Sequence, residues 1–181
     1  MNTDNREREA LEFAKNAHEG QSRKYKNEPY IEHPKRVADI VKTVPHTTEM
    51  ICAAYLHDVV EDTSVTIGDI RKNFGNKVAV LVEELTDEFV KKKYPHLNRK
   101  MRKERETSRQ AQISAAAKTI KLADVIDNTP DISKNDPGFA RRYIPEMQAL
   151  VKVLYGGDAT LFKRAQEIVS QAKGSVKNQK T

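Results

Sequence analysis

Apolar residues recur three and four positions apart along most of the chain, and this spacing predicts helices rather than strands. The first helix is expected from Asn5 to about Glu19, ending at Gly20. An alternation of apolar and polar residues would indicate strands, but the sequence contains no such run of useful length and no internal repeat. The pattern therefore predicts a single all-α bundle of about eight or nine helices, the others near 34–44, 48–62, 66–75, 76–86, within 88–110, and at 114–126, 138–155 and 158–172.

Glycine and proline mark the connections between these helices. Residues 20–32 are expected to form a loop, and Pro130 and Pro137 to frame another. The tail from Lys173 is polar and is expected to fray. We predict one domain over 1–181, with a motif-bearing core at about 8–132, C-terminal helices at about 138–172 and a polar tail at 173–181.

Composition narrows the class of protein. The 181 residues suit one domain with a core of its own, and 38% apolar against 32% charged residues indicates a well-solvated surface. The single cysteine, Cys52, excludes an internal disulfide and is expected to be a buried core residue. Residues 1–12 lack the apolar region of a signal peptide, and no stretch approaches the roughly 18 apolar residues of a membrane span. We therefore expect a cytoplasmic protein without a membrane partner.

The most informative string for chemistry is His57-Asp58-Val59-Val60-Glu61-Asp62. On a helix, His57 and Glu61 lie one turn apart, as do Asp58 and Asp62. The string follows an almost wholly apolar stretch, so the cluster is expected to be partly buried. Buried carboxylates need a cation or hydrogen-bond partners, and the string contains no lysine or arginine. A metal ion is the simplest way to balance this charge.

Two further places offer ligands for such an ion. Asp124 and Asn128 share one face of an apolar helix, and His33 precedes Pro34 at a helix start. Histidine and carboxylate ligands suit Mn²⁺, Fe²⁺, Zn²⁺ or Mg²⁺, and four protein ligands with an open position favour Mn²⁺ or Fe²⁺ over a closed tetrahedral zinc. Taken singly, His33 is also compatible with a structural role and Asp124 with an ordinary, hydrogen-bonded helix acid.

These residues, in this order, resemble the HD phosphohydrolase superfamily. Within it, the chain is most similar to the hydrolase domain of the RelA/SpoT proteins and to the stand-alone small alarmone hydrolases. The resemblance covers roughly residues 8–132 and implies an all-α fold of the HD-domain type. The matching strings are Phe13-Ala14 through His18, Arg23-Lys24, Pro29-Tyr30-Ile31-Glu32-His33-Pro34, Ala54-Tyr55-Leu56-His57-Asp58-Val59-Val60-Glu61-Asp62-Thr63, Phe74-Gly75, Val82-Glu83-Glu84-Leu85-Thr86-Asp87 and Lys121-Leu122-Ala123-Asp124 with Asn128.

The resemblance also implies a reaction, the metal-dependent hydrolysis of the 3′-pyrophosphate of a purine nucleotide such as ppGpp or pppGpp, giving pyrophosphate and GDP or GTP. The metal it implies is Mn²⁺, with another divalent ion as the alternative. It implies the following roles: His33, His57, Asp58 and Asp124 bind the metal, Glu61 and Asp62 position and activate water, Arg23 and Lys24 contact the nucleotide, and Asn128 lies near the ribose. Tyr25 and Tyr30 are candidates to border the base, whereas His18 is expected on the surface.

One departure from the family pattern leaves the substrate open. The family often has arginine two residues after the asparagine that Asn128 matches, but this chain has Thr129-Pro130. Three alternative substrates therefore remain: an adenosine alarmone such as ppApp, the dinucleotide NADPH, and a nucleoside monophosphate.

A different class of function is suggested by the charge of the chain, which is +6 and favours anionic partners. The basic residues of 88–110, where a loop and then an exposed helix are expected, would suit a nucleic-acid-binding module. The acids of residues 57–62 argue against it, because they would be costly and without purpose in a pure binder. We therefore do not expect a nucleic-acid partner, and the sequence leaves the oligomeric state open.

Overall fold

The computed structural model describes residues 3–178, with side chains from 5 to 175. Within these residues the chain forms nine helices and no strand beyond an isolated bridge between Ser22 and Pro29, so the all-α prediction is confirmed. The helices are α1 (Thr3–Ala17), α2 (Glu32–Lys42), α3 (Thr48–Leu56), α4 (Val59–Asp62), α5 (Ile67–Leu85), α6 (Arg99–Gln110), α7 (Ala115–Asn135), α8 (Pro137–Val153) and α9 (Ala159–Asn178). None of them combines the length and the apolar composition that crossing a bilayer requires.

The helices fall into two compact units, Met1–Thr86 and Asp87–Thr181. In the first unit, α3 packs against α1, α2 and α5. In the second unit, α7 packs against α8 and α9, while α8 also packs against α6 and α9. The single domain expected from the sequence stays a prediction.

Helix α3 forms the centre of the first unit because every residue from Met50 to Leu56 is buried. Cys52 is among them and has no exposed surface, as expected from its apolar neighbours. The helix begins where the sequence indicated, since the Thr47 hydroxyl accepts a hydrogen bond from the Met50 N–H at 3.3 Å. This apolar helix brings its C-terminal end, and the residues that follow it, to the edge of the core.

The continuous helix expected over 48–62 is wrong. Helix α3 ends at Leu56, His57 and Asp58 form a turn, and α4 begins at Val59. Nδ1 of His57 lies 2.8 Å from the Ala54 carbonyl oxygen, the group that a continuous helix would offer to the Asp58 N–H. The backbone turns there and restarts with the Asp58 carbonyl accepting from the Glu61 and Asp62 N–H groups.

Helix α5 contains the boundary expected at Phe74-Gly75. Gly75 has φ 80° and ψ 172°, so two helical segments meet at this residue. The first segment begins with a capping box, in which Thr66 and Asp69 each accept a hydrogen bond from the other's backbone N–H.

Proline 130 does not end α7, and the loop expected between Pro130 and Pro137 is wrong. The helix begins after Ser114, as expected, and continues through Pro130 to Asn135. Proline cannot donate to the carbonyl four residues earlier, but its ring is exposed here and buried Thr129 anchors the same turn. Pro137 instead occupies the first turn of α8, where a missing N–H costs nothing.

Helix α9 extends to Asn178, so the frayed tail expected from Lys173 is wrong for residues 173–178. A buried stripe of Ala165, Val169 and Ala172 anchors the helix, and the polar residues beyond it continue the same backbone hydrogen bonding. The final part of that predicted tail, 179–181, lies outside the described residues.

Candidate metal centre

Three side chains that can bind a metal converge in the first unit. His33 belongs to the first turn of α2, while His57 and Asp58 form the turn between α3 and α4. Their candidate ligand atoms all lie within 4.8 Å of one another. Oδ2 of Asp58 is 3.0 Å from Nε2 of His57 and 3.5 Å from Nε2 of His33. The two imidazoles are almost fully buried, with side chains 2% and 1% exposed, whereas Asp58 is 18% exposed.

The hydrogen bond of His57 fixes which of its nitrogens can bind a metal. A carbonyl oxygen only accepts, so Nδ1 of His57 must carry the hydrogen that reaches the Ala54 oxygen. In the neutral ring Nε2 then presents a lone pair toward the Asp58 carboxylate. Two electron-rich atoms 3.0 Å apart are stable only with a positive charge between them, a proton or a metal ion. The residues present therefore fit a divalent cation, and a backbone partner on the other ring nitrogen is usual for a metal-binding histidine.

The carboxylate of Asp58 has a partner that the sequence analysis assigned to another role. The hydroxyl of Tyr30 donates to Asp58 Oδ2 at 2.6 Å, although Tyr30 was a candidate to border the base. The signal available was the three-residue spacing of Tyr30, in the turn before α2, and His33, in its first turn.

Histidine 18 is buried, with 3% of its surface exposed, so the expectation of a surface position is wrong. Its ring lies 4.6 Å from that of Tyr30, and its Nδ1 is 2.9 Å from Gln21 Oε1. The missed signal is the four-residue spacing of Ala10, Ala14 and His18, which continues the buried face of α1.

Glu61 and Asp62 lie on α4, directly after the turn that carries His57 and Asp58, and both are exposed. The Asp62 backbone carbonyl accepts from Gln21 Nε2 at 2.9 Å. The pKa of the Asp62 carboxyl is raised, first because neighbouring protein atoms desolvate it and second because of the Asp58 charge. The carboxyl itself is more enclosed than the exposure of the whole residue suggests. The nearby Tyr30 hydroxyl acts in the opposite direction and favours the charged form of Asp62.

Arg23, Lys24 and Tyr25 lie in the loop between α1 and α2. The loop closes on itself, because the Arg23 N–H donates to the Glu28 carbonyl at 3.1 Å. Nζ of Lys24 donates to the Tyr25 hydroxyl at 3.0 Å and lies 4.8 Å from the centre of its ring. Nucleotide binding by these three residues stays a prediction.

Asp124 and Asn128 lie on α7, in the second unit. Asp124 is 8% exposed, and the Asn128 amide donates to its Oδ1 at 2.5 Å. Nζ of Lys121 lies 3.0 Å from its Oδ2. The structure therefore brings His33, His57 and Asp58 together, and gives Asp124 two partners on its own helix. These α7 residues border a cavity of about 150 Å³ lined by Asp87, Lys103, Glu106, Thr107, Gln110, Lys121, Asp124, Val125, Asn128, Tyr143, Glu146, Met147 and Leu150.

Helix α6 carries most of the basic residues of 88–110, and several of them pair with carboxylates. Both Arg99–Glu146 hydrogen bonds measure 2.8 Å, and Lys103 lies 2.7 Å from Asp87. Burial favours the neutral form of Asp87, but the charges of Lys121 and Lys103 outweigh it and lower the pKa of Asp87. These basic residues of α6 therefore form ion pairs within the second unit rather than only facing solvent.

Glu106 is a residue of α6 that the sequence analysis missed. It is only 4% exposed, and its Oε2 accepts from the N–H groups of Glu88 and Phe89 at 2.9 and 3.0 Å. Its other oxygen pairs with Arg109 at 2.7 Å. A buried glutamate thus holds the start of the segment that precedes α6, and only its place in a run of charged residues was visible in the sequence.

Comparison with known proteins decides the family. The sequence profile of the HD domain family matches residues 10–150, more than half of the chain. The chain belongs to the HD domain family. Hydrolases of this family depend on a metal ion, and the His33, His57 and Asp58 cluster is a possible site for it.

The relatives of this HD domain chain confirm the resemblance to alarmone hydrolases. The guanosine-3′,5′-bis(diphosphate) 3′-pyrophosphohydrolase MESH1 of Drosophila melanogaster is 36% identical over 171 residues, 90% of this chain and 92% of the relative. The bifunctional (p)ppGpp synthase/hydrolase SpoT of Escherichia coli is 49% identical over 76 residues, 42% of this chain and 11% of SpoT. A solved structure described as a metazoan ortholog of SpoT that hydrolyses ppGpp has a TM-score of 0.80 and 34% identity, covering 92% of this chain and 94% of that one.

Proposed function

We propose that this HD domain chain is a metal-dependent 3′-pyrophosphohydrolase of guanosine alarmones such as ppGpp and pppGpp. The observation that carries the proposal is the convergence of His33, His57 and Asp58, in a chain whose relatives over 90% of its length carry the name of this activity. The products would be pyrophosphate and GDP or GTP.

The metal we propose is Mn²⁺, held by His33, His57 and Asp58. Nitrogen and oxygen ligands without a thiolate suit this ion. Asp124 as a fourth ligand rests on the family resemblance and stays a prediction. When bound, the ion supplies Lewis acidity, which lowers the pKa of water and polarises a phosphoryl oxygen.

Glu61 and Asp62 are the proposed proton acceptors. The oxygen of water bonds to the phosphorus nearest the ribose, and the bond from that phosphorus to the 3′ oxygen breaks. The water proton passes to one of these carboxylates and then to the departing 3′ oxygen, which becomes a hydroxyl. Both carboxylates lie on α4, directly after the turn that carries His57 and Asp58, and this position supports the role.

Arg23 and Lys24 are the proposed contacts for the phosphate charge that builds up during the reaction. Tyr25 is close enough to Lys24 to present an aromatic face beside that cation, and Asn128 is proposed to lie near the ribose.

The decisive experiment measures hydrolysis of ppGpp and ppApp with Mn²⁺ and resolves the products by anion-exchange chromatography. We expect pyrophosphate and a nucleoside diphosphate from the unmodified chain, and losses of at least about 100-fold for His57→Ala and Glu61→Ala. The matched control is His46→Ala, since His46 is exposed and its Nδ1 hydrogen-bonds locally to the Val44 carbonyl. Metal-loaded protein that turns over neither substrate would refute the alarmone assignment.

The same assay separates the rival functions. Release of phosphate from NADPH or from a nucleoside monophosphate, without alarmone turnover, would instead indicate an HD phosphatase of another nucleotide. Binding to DNA or RNA that weakens steeply with salt would indicate the nucleic-acid module. The ion pairs of Arg99 and Lys103 within the second unit favour a structural use of the basic helix instead.

A further inference from the structure

The hydroxyl of Tyr30 lies where it can control the orientation of Asp58. It donates to Asp58 Oδ2 at 2.6 Å, and this same oxygen faces Nε2 of His57 and Nε2 of His33. A carboxylate on a turn can rotate about its side-chain bonds, and a short charge-assisted hydrogen bond favours one rotation over the others. The bond from Tyr30 therefore selects the rotation in which Asp58 points at both imidazoles.

The ring of Tyr30 is itself held by a buried histidine. The rings of His18 and Tyr30 are 4.6 Å apart at an interplanar angle of 36°. His18 is 3% exposed, so its ring has little room to move away. The phenol hydroxyl is thereby kept at the position from which it reaches Asp58.

A series of hydrogen bonds fixes the His18 ring in its turn. Gln21 Nε2 donates to the Asp62 carbonyl at 2.9 Å, so its Oε1 must face Nδ1 of His18, 2.9 Å away. Because that oxygen only accepts, Nδ1 of His18 carries the hydrogen. This series of hydrogen bonds links the loop between α1 and α2 to α4, where the proposed proton acceptors lie.

We propose that Tyr30 is a positioning residue of the candidate metal centre, whose hydroxyl orients Asp58 toward His33 and His57 while the buried His18 ring holds the phenol in place. The inference rests on the proposed function, since it assigns the centre to a divalent cation. Partners of this kind, which contact a ligand rather than the metal, often change metal affinity by about 10- to 100-fold when they are removed.

The alternative is that Tyr30 only fills space beside His18. Tyr30→Phe separates the two, because phenylalanine keeps the ring and removes only the hydroxyl. Tyr55→Phe is the matched control in the same unit: Tyr55 is buried in α3, and its hydroxyl contacts Lys42 at 3.4 Å. Both variants lose one oxygen atom, but only one of those atoms contacts Asp58.

The experiment titrates Mn²⁺ into metal-free protein, without nucleotide, and follows binding by calorimetry and by the Mn²⁺ electron paramagnetic resonance signal. We expect Tyr30→Phe to raise the Kd for Mn²⁺ by about 10- to 100-fold and Tyr55→Phe to leave it within about two-fold. In the ppGpp assay, excess Mn²⁺ should restore most of the kcat of Tyr30→Phe with little change in KM, which a general packing defect would not allow.

Two outcomes would refute the inference, and a third would also refute the proposed function on which it rests. A Kd for Tyr30→Phe within two-fold of the unmodified chain, or an equal loss in Tyr55→Phe, would show that the hydroxyl does not orient Asp58. Either result leaves the proposed function standing if the unmodified chain binds Mn²⁺ and cleaves ppGpp. Failure of the unmodified chain to bind Mn²⁺ would overturn both.

Discussion

At the scale of single residues, the sequence indicated which side chains are candidates for chemistry but not how they are oriented. The His57-Asp58 pair after an apolar stretch was sufficient to predict a buried cluster, and His33 joins it in the structure. The hydrogen bonds of His57 to Ala54 and of Tyr30 to Asp58 depend on side-chain rotation, which residue spacing does not encode. They emerge only when the turn after α3 and the start of α2 are in place.

Cys52 gives a residue-scale prediction about reactivity. It is fully buried in α3, and this burial raises the pKa of its thiol to about 11. The reactive thiolate is therefore rarer in the folded chain than in the unfolded chain, where the pKa is about 8.5. We expect Ellman's reagent at pH 8 to react at least about 100-fold more slowly with the native protein than with the protein in guanidinium chloride.

The control for that measurement is the stoichiometry after unfolding, which should reach one thiol per chain because Cys52 is the single cysteine of the sequence. Native protein that reacts as fast as unfolded protein would mean that α3 opens readily or that Cys52 is accessible.

At the scale of elements, the starts of the helices were easier to predict than their ends. Thr47 and Ser114 cap α3 and α7, whose starts agree with the predicted 48 and 114 within one residue, because a hydroxyl that accepts from the first turn is a local interaction. The ends depend on tertiary contacts, which sequence patterns describe poorly. Helix α7 passes through Pro130, and α3 stops before His57 although its apolar pattern continues.

Gly75 provides the element-scale prediction, since it is where α5 divides. Its φ of 80° and ψ of 172° lie in a region that side chains larger than hydrogen rarely occupy. We expect Gly75→Ala to lower the free energy of unfolding by about 1–3 kcal/mol, measured by urea denaturation followed by circular dichroism. Space is not the cause, because the nearest atom to an added Cβ would be Arg6 Nη2 at 3.8 Å.

The same substitution at Gly174 is the matched control and should have the opposite sign. Gly174 lies inside α9, has no positive φ, and has no atom within 4 Å of an added Cβ. Gly174→Ala should raise the free energy of unfolding by about 0.5–1 kcal/mol. Equal effects at the two positions would contradict the strain assigned to Gly75.

At the scale of the whole molecule, the sequence predicted the all-α class because helical periodicity repeats along the entire chain. It did not predict the division into two compact units at Thr86 and Asp87, because the charged segment 88–110 that begins there was interpreted as a loop and an exposed helix of the same domain. The HD domain match runs from residue 10 to 150 and so crosses the division. A family that spans both units favours folding as one cooperative domain.

Calorimetry with Mn²⁺ tests that expectation. The proposed ligands His33, His57 and Asp58 all belong to the first unit. A metal that binds them only in the folded chain stabilises whatever part of the chain unfolds together with them. At 100 times the Kd, binding adds about 2.7 kcal/mol, and the midpoint of unfolding should rise by about 5–10 °C. If the chain is one domain, the scan should contain one transition that shifts as a whole, with calorimetric and van't Hoff enthalpies in agreement. His57→Ala, which removes a proposed ligand, should show no shift with Mn²⁺. Two transitions, of which only one responds to the metal, would mean that the units unfold independently and that the single-domain prediction is wrong.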